Sequence, residues 1–421
     1  MLFKKIDITV VLFCFLIISF IVGSAVLNIT VVVISIFYLF KNFKNKKFDE
    51  FEIIWVKAFL VFWIYLILIS FFSEDYLSSI RSSFSQIRYL FLILFIYKYL
   101  NFQILKFIIY FLTSLLIFVS IDNNIQFFTG LDIFGYKAEG YIFNERIYNL
   151  NTMDYYVGRL SGPFGNELVT GAFIAKLSFP LIFYFMQLFK KVKNTYKFLI
   201  ICLFLILIEG VIISGERTSS LLIILAFFLA FYLSYGFKKT LLISLPILLS
   251  LVILVNSNDF LKKRINDTIK IVKNIPDSSY GRLYSAGINI WKENLIFGVG
   301  IKNYRIECNN IIDPEPNHTF PFCATHPHNV ILEFLSETGL MGLFLFLIFL
   351  FLFIKNFFHN YKNEKNTDYK FICLGSFTMI ILSIIPLYPS GSFFSSWNST
   401  FFWINFGFAA SLINKEKLIK I

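Results

Sequence analysis

Two of the four histidines stand two positions apart in Ala324-Thr325-His326-Pro327-His328-Asn329, directly before an apolar run from Val330 to Ile354. That run is long enough to cross a bilayer, so the pair sits at the mouth of a membrane helix. Exposed N–H groups at a helix start favour a bound anion and disfavour a protonated imidazole beside them. A neutral imidazole is the form that a general base for a hydroxyl requires. The bland alternative is structural: His328 caps the span and His326 is a polar rim residue.

The cations that could accompany such a base are few. Arg217 lies in Ser214-Gly215-Glu216-Arg217-Thr218-Ser219, where one apolar run turns into the next. An arginine there costs free energy unless it is paired or hydrated, which makes it a functional candidate, with an ion pair to Glu216 as the alternative. Arg282 opens a loop helix in Tyr280-Gly281-Arg282-Leu283, Arg88 begins a span, and Arg159 starts Arg159-Leu160-Ser161-Gly162-Pro163-Phe164-Gly165-Asn166. Guanidinium forks match phosphate oxygens, so the four together suit an anionic substrate. Metal readings are weaker. His318, His326 and His328 have loose spacing for zinc, and Asp313-Pro314-Glu315 is a poor acidic pair, so neither metal nor cofactor is expected.

The elements that must position these residues are membrane helices. The chain is 57% hydrophobic and 20% aromatic, with a mean hydropathy of +0.72. The pattern predicts an all-α polytopic membrane protein with twelve spans, near 7–23, 25–40, 53–72, 84–100, 104–121, 168–188, 196–213, 218–235, 239–255, 329–354, 370–388 and 396–413. A cleaved signal peptide competes weakly for the first. A net charge of +12 would suit nucleic acid in a soluble protein, but here the lysines occupy every second connector. By the positive-inside rule that side, with both termini, is cytoplasmic, and no nucleic-acid partner is expected.

The opposite side carries the two long polar segments. They divide the chain into 1–255, nine spans with a small outer loop at 122–167; 256–328, a large outer loop; and 329–421, the last three spans. Within the large loop, Leu261, Ile265, Ile269 and Val272 share one helical face. That pattern suits a helix lying on the bilayer surface or one packed on the bundle. Asp277-Ser278-Ser279 offers caps for a second helix, from about Tyr280 to Glu293. Gly298-Val299-Gly300 makes a turn and is weak evidence for a phosphate loop. Cys308 and Cys323 face an oxidising exterior that permits a disulfide, with two free thiols as the alternative.

Taken together, these motifs resemble the O-antigen ligase and polymerase superfamily of bacterial membrane glycosyltransferases. Arg159 to Asn166 resembles the family's Arg-x-x-Gly-x-Phe-Gly-Asn stretch, although Glu167-Leu168 replaces its usual Pro-Asn. Ser214 to Ser219 resembles the Ser-Gly-x-Arg-Thr motif. Gly281-Arg282, Trp291, Gly298-Val299-Gly300 and Tyr304 resemble the second-arginine block. His326 to Asn329, with Leu332, Glu333, Glu337-Thr338-Gly339 and Gly342, resembles the His-Asn helix. The resemblance covers about 158 to 345 by motif.

It implies transfer of a glycan from undecaprenyl pyrophosphate to an acceptor hydroxyl, at the periplasmic face of the inner membrane and without metal or nucleotide sugar. His328, Arg217 and Arg282 take the catalytic roles, and Arg88, Arg159, His326, Asn329 and Tyr304 the substrate-binding ones. Ligases and polymerases share these motifs. A ligase, with lipid A–core as acceptor, is favoured because the main loop lies late and ends on the histidine. A polymerase, whose acceptor is another lipid-linked glycan, is the alternative. A polysaccharide exporter or flippase would need a charged path through mid-bundle, which the spans do not show.

Overall fold

A computed structural model describes residues 8–45, 48–138, 141–142, 145–148, 155–156, 158–311, 323–386 and 388–412. The chain enters through α1 (Ile8–Val22), α2 (Ser24–Asn45), α3 (Ile54–Ser70), α4 (Tyr76–Ser85), α5 (Ile87–Tyr99) and α6 (Phe102–Thr129). A small antiparallel sheet follows, β1 (Tyr141–Ile142), β2 (Glu145–Tyr148) and β3 (Tyr155–Tyr156), with Tyr141 opposite Arg146 and Tyr148 opposite Tyr155. Four further apolar helices are α7 (Thr170–Phe189), α8 (Asn194–Ile213), α9 (Arg217–Tyr235) and α10 (Phe237–Asn256). The long loop folds as α11 (Asp259–Lys273), α12 (Ser279–Glu293) and α13 (Tyr304–Ile311). The chain ends with α14 (Val330–Asn363), α15 (Thr367–Ile384) and α16 (Ser396–Ser411).

A helix occupies each of the twelve apolar stretches read from the sequence. Among the described residues, seven helices are long and apolar enough to cross a membrane: α2, α6, α7, α8, α9, α14 and α15. Two departures from the expected spans have visible causes. The helix expected from 84 starts only at Ile87, because the chain before it forms the separate serine-rich α4, which closes on its neighbours through hydroxyls: Ser70 with Ser83 at 2.7 Å and Ser79 on Ser70 at 2.9 Å. The helix expected to stop at 121 runs to Thr129, because its polar last turns find buried partners. Asn123 Nδ2 donates to Gly210 O at 3.0 Å, Gln126 Nε2 donates to Ser161 Oγ at 3.0 Å, and Asp122 Oδ1 accepts from Ile133 N at 2.8 Å. Buried polar groups are tolerated when each is bonded.

The chain forms two compact units. The first comprises Met1–Gly23, Phe102–Lys273 and Lys365–Met379, and is built around α7, whose residues are almost all buried between α6, α8 and α9. The second comprises Ser24–Asn101, Asn274–Glu364 and Ile380–Ile421. Its core is a ring cluster in which Trp55, Phe59, Phe349, Trp403 and Phe406 meet mostly edge to face; Phe353 stacks on Phe406 with centroids 3.8 Å apart.

In the second unit α14 is broken at Gly339, whose φ of 66° is left-handed. A kink leaves backbone groups without partners in their own helix, and segment 295–300 takes them up. Val299 N and Gly300 N donate to Ser336 O and Glu337 O at 2.9 and 2.8 Å, while Leu340 N and Met341 N donate to Leu295 O and Ile296 O at 3.0 and 3.1 Å. Gly298-Val299-Gly300 is therefore a backbone splice onto the kink. A Cβ at Gly298 would lie 2.6 Å from the Glu337 carbonyl carbon, and one at Gly339 would lie 2.2 Å from Ile296 O. Cys308 and Cys323 are joined by a disulfide, Cα atoms 5.6 Å apart. Asp313, Glu315 and His318 lie outside the described residues.

Candidate functional site

The first unit presents an arginine turn. Leu160 N donates to Ser214 O at 3.2 Å, which ties the Arg159 stretch to the Ser214–Ser219 turn. Gly171 N, in the first turn of α7, donates to Glu216 Oε1 at 2.9 Å, and Ser219 Oγ donates to Glu216 Oε2 at 2.8 Å. Glu216 thereby caps α7 and sits where a helix start favours a carboxylate. The charges of Arg159 and Lys176 act on it as well. Glu216 is thus engaged elsewhere, and Arg217 reaches a different acid: its Nη2 lies 4.0 Å from Asp267 Oδ2 on α11. Both groups are partly exposed, so the pair is weak and open to exchange for a substrate anion. Arg264, also on α11, fixes the turn by donating from Nε and Nη2 to Gly215 O at 3.2 and 2.9 Å. Arg159 Nη2 donates to Leu168 O at 2.8 Å.

The second unit presents the histidine block. Asn329 is the N-cap of α14: its side chain accepts from Leu332 N at 3.1 Å and donates through Nδ2 to Pro386 O at 3.1 Å. Immediately before it, His328 has a φ of 53°. A non-glycine residue held in the left-handed region costs roughly 1–3 kcal/mol and marks a backbone fixed by its surroundings. Here the fixing bond is Ser390 N to His328 O at 2.8 Å. The His326 and His328 ring centroids are 4.1 Å apart, and Tyr280 of α12 meets the His328 ring edge-on at 6.3 Å.

His326 Nε2 lies 3.3 Å from Ser390 O and its Nδ1 lies 3.0 Å from Thr325 Oγ1. A carbonyl can only accept, so Nε2 carries the proton and Nδ1 accepts from the threonine. Burial, then the neighbouring His328, push the His326 pKa down to about 3. Burial also lowers that of His328, opposed by a bond to the Ser390 backbone. Both rings are neutral at physiological pH, the state a general base must start from.

Against known proteins, residues 202–347 match the family model described as O-antigen ligase. That stretch, about a third of the chain, is similar to the O-antigen ligase family. A search of curated proteins found no match. The matched stretch contains the Arg217 turn, α12 with Arg282 and the His328–Asn329 block, and stops before the Ser390 loop.

Several residues that shape the histidine block had been given no role of their own by the sequence. Glu333, one turn into α14 and 1% exposed, accepts from Ser392 Oγ with Oε1 and from Phe393 N at 2.7 Å with Oε2. It thereby anchors the connector that carries Ser390 to both histidines. Lys302, itself at a φ of 69°, points Nζ at Ser392 Oγ, 3.5 Å away. The spans were expected to hold no charges clustered in mid-bundle, and Glu333 and Glu337 are buried in the first turns of α14. Lys176 lies in the second turn of α7. All three sit near helix starts: backbone N–H groups of neighbouring connectors bond Glu333 and Glu337, and the charge of Glu216 acts on Lys176. A charge inside an otherwise apolar run was the available signal.

The other expected site residues have different surroundings. Tyr304 is fully buried among Ala286, Ile290, Val299 and Cys308, with Cys323 packed alongside, and its hydroxyl donates to Leu283 O at 3.4 Å. That placement makes it a core residue joining α12 to the disulfide. Arg88 donates from Nη2 to Tyr89 OH and to Ser396 Oγ, each at 3.2 Å, and so braces the start of α16. Arg282 is half-buried in the first turn of α12, two residues before Tyr284, whose hydroxyl bonds Asn329.

Proposed function

We propose that the protein transfers a preassembled glycan from undecaprenyl pyrophosphate to an acceptor hydroxyl of lipid A–core, at the periplasmic face of a bacterial inner membrane. The observation that carries this reading is His328, neutral, conformationally fixed and set directly before the Asn329 cap of α14. The outward orientation rests on the lysine-rich alternate connectors, which leave both long polar segments on the opposite side. An outward site has no access to cytoplasmic nucleotide sugars, so the donor arrives already activated on a lipid.

In the reaction, the acceptor oxygen attacks the anomeric carbon from the face opposite the leaving group, and the configuration inverts. His328 takes the hydroxyl proton. The bond from the anomeric carbon to the diphosphate oxygen breaks, and undecaprenyl pyrophosphate leaves with the electron pair. Arg217 and Arg282 hold the developing charge, each charge-assisted hydrogen bond contributing roughly 1.5–3 kcal/mol. His326 and Asn329 orient His328; Arg159 and Arg88 act on the substrate indirectly, through the turn and helix starts they brace. The chemistry needs no metal, because the guanidinium groups supply the positive charge.

A polymerase of the same superfamily would run the same step with another lipid-linked glycan as acceptor. Deleting the protein separates the two. Full-length polymer stranded on undecaprenyl pyrophosphate, with bare lipid A–core, is the expected result. Accumulation of single unpolymerised repeats would assign the polymerase instead.

A further inference from the structure

Among the described residues, two non-glycine residues are held at a left-handed φ: His328 at 53° and Lys302 at 69°. The first is the base proposed above, and the second has been given no role. Lys302 stands in the turn from Gly298 to Tyr304, where Gly298 and Gly300 take the other left-handed positions, at φ of 68° and 89°. A lysine at the third carries a steric cost that glycine would not, and such a residue persists only where its surroundings over-determine the backbone. Here they do. The Glu337 side chain accepts from the backbone N–H groups of Lys302 and Tyr304. Asn303 N donates to Gly300 O at 3.1 Å, and Asn303 Oδ1 accepts from Asp75 N at 2.8 Å.

The turn so fixed aims the lysine side chain. Half-buried Lys302 points Nζ at Ser392 Oγ, 3.5 Å away, and the same hydroxyl donates to Oε1 of buried Glu333. Ser392 is thus held from two sides, by a cation from the turn and a carboxylate from α14. Two residues earlier, Ser390 engages both histidines: its N donates to His328 O at 2.8 Å and its O lies 3.3 Å from His326 Nε2. All these groups belong to the second unit. We propose that Lys302 is a positioning residue of the transfer reaction, its ammonium clamping the 390–393 connector against Glu333 so that Ser390 holds the histidine pair in register. The inference rests on His328 as the base and extends that reading to a residue on another element.

The ammonium also bears on the protons of the pair. The groups around it that carry or can take a charge are Tyr280, Arg282 and Tyr284 on α12, Lys302 in the turn, Arg305 on α13, Glu333 on α14 and Tyr388, whose hydroxyl is turned to Leu382 O. Burial and then His328 do most to keep a proton off His326, and the charges of Lys302 and Arg305 add to them. Arg305 is exposed, so water and salt screen it; half-buried Lys302 is screened less. Removing the Lys302 charge therefore lets the ring take a proton at higher pH.

The test compares the purified full-length wild type with Lys302→Asn, Lys302→Met and Lys302→Arg. Asparagine tolerates a left-handed backbone and is too short to reach Ser392, so it removes the ammonium without straining the turn. Methionine keeps the length of the side chain without its charge. In transfer from an undecaprenyl-diphosphate-linked glycan to lipid A–core, both neutral variants should lose about tenfold in kcat with KM little changed, the size of one charge-assisted bond. Their acid limb of kcat/KM should move up by as much as about one pH unit. Lys302→Arg should restore most of the rate and the wild-type limb.

Nitrogen-15 spectra of ring-labelled histidine read the same charge without catalysis. The titrations of His326 and His328 should move up toward 6.5 in the neutral variants, and that of His359, near the far end of α14, should stay in place. Wild-type kcat and acid limb in both neutral variants would overturn the inference. So would an equal loss in all three variants with an unmoved limb, which would make Lys302 a folding residue only. Histidine titrations that shift as expected in a protein that transfers no glycan would sink the functional reading and leave the Lys302 clamp standing.

Discussion

The arginine turn and the histidine block solve opposite electrostatic problems. In the first unit, Arg159, Lys176, Arg217 and Arg264 are set around Glu216 and Asp267, and the Arg217–Asp267 pair is long and partly exposed. Charge is plentiful there and its pairing is loose. In the second unit, His326 and His328 are neutral, largely buried, and tied to one backbone connector by way of Ser390. The rings themselves carry no charge there, and their geometry is tight. The difference teaches where each kind of change should be felt: the turn should respond to charge and salt, the block to shape and pH.

The largest expected effect comes from removing the guanidinium. By analogy with loss of one anion-stabilising donor, Arg217→Ala should lower kcat about 10²–10³-fold, and Arg217→Lys should recover only part of it, because an ammonium lacks the fork. A full recovery by lysine, measured in a purified transfer assay, would show that the turn supplies charge without geometry.

Next in size is the disulfide, which closes a 15-residue separation leading into the histidine block. Cys308→Ser should lose about 3 kcal/mol, read as a lower midpoint of thermal unfolding in detergent, and Cys323→Ser should match it. Unequal losses would mean that one cysteine matters for its packing alone.

Glu333→Gln is nearly isosteric but weakens the hold on Ser392 and Phe393. About tenfold in kcat with little change in KM is expected, the size of one charge-assisted bond degraded to a neutral one. A rise in KM instead would place Glu333 at the substrate and outside the positioning network.

The pH dependence follows from the lowered histidine values. Depression below 6.5 means that His328 stays neutral as pH falls through 6.5, so the acid limb of kcat/KM should lie below 6.5. The same shifts predict that stability declines with falling pH below 6.5: the unfolded chain protonates both histidines there, while folded His326 resists until about 3. An acid limb above 7 would contradict a buried base. Smallest of all, Asp267→Asn should release Arg217 and lower KM a few-fold at low salt, an effect that fades as salt screens the turn.

Much of this was legible in the chain. Apolar run length located helices at all twelve stretches, and rare cations in apolar context singled out Arg217. The sequence offered His328 as the cap of the span, and the structure gives that role to Asn329, one residue on. What was not legible depends on partners far along the sequence. Gln126 reads as loop until Ser161 and Gly162 are seen bonding it. The two glycines around Val299 read as a turn until the kink at Gly339 supplies the groups they join. Glu333 gains its role from Ser392 and Phe393, about 60 residues away, which no local pattern announces.

The central claim is that His328 is the base of a metal-free glycan transfer. Its most direct test is the initial rate of transfer by the purified protein, in chelator, from an undecaprenyl-diphosphate-linked glycan to lipid A–core, for wild type and His328→Ala. The account predicts robust transfer by the wild type and a loss of at least about 10² in the variant, the lower end of general-base contributions, with the variant still folded. Full transfer by His328→Ala would contradict it.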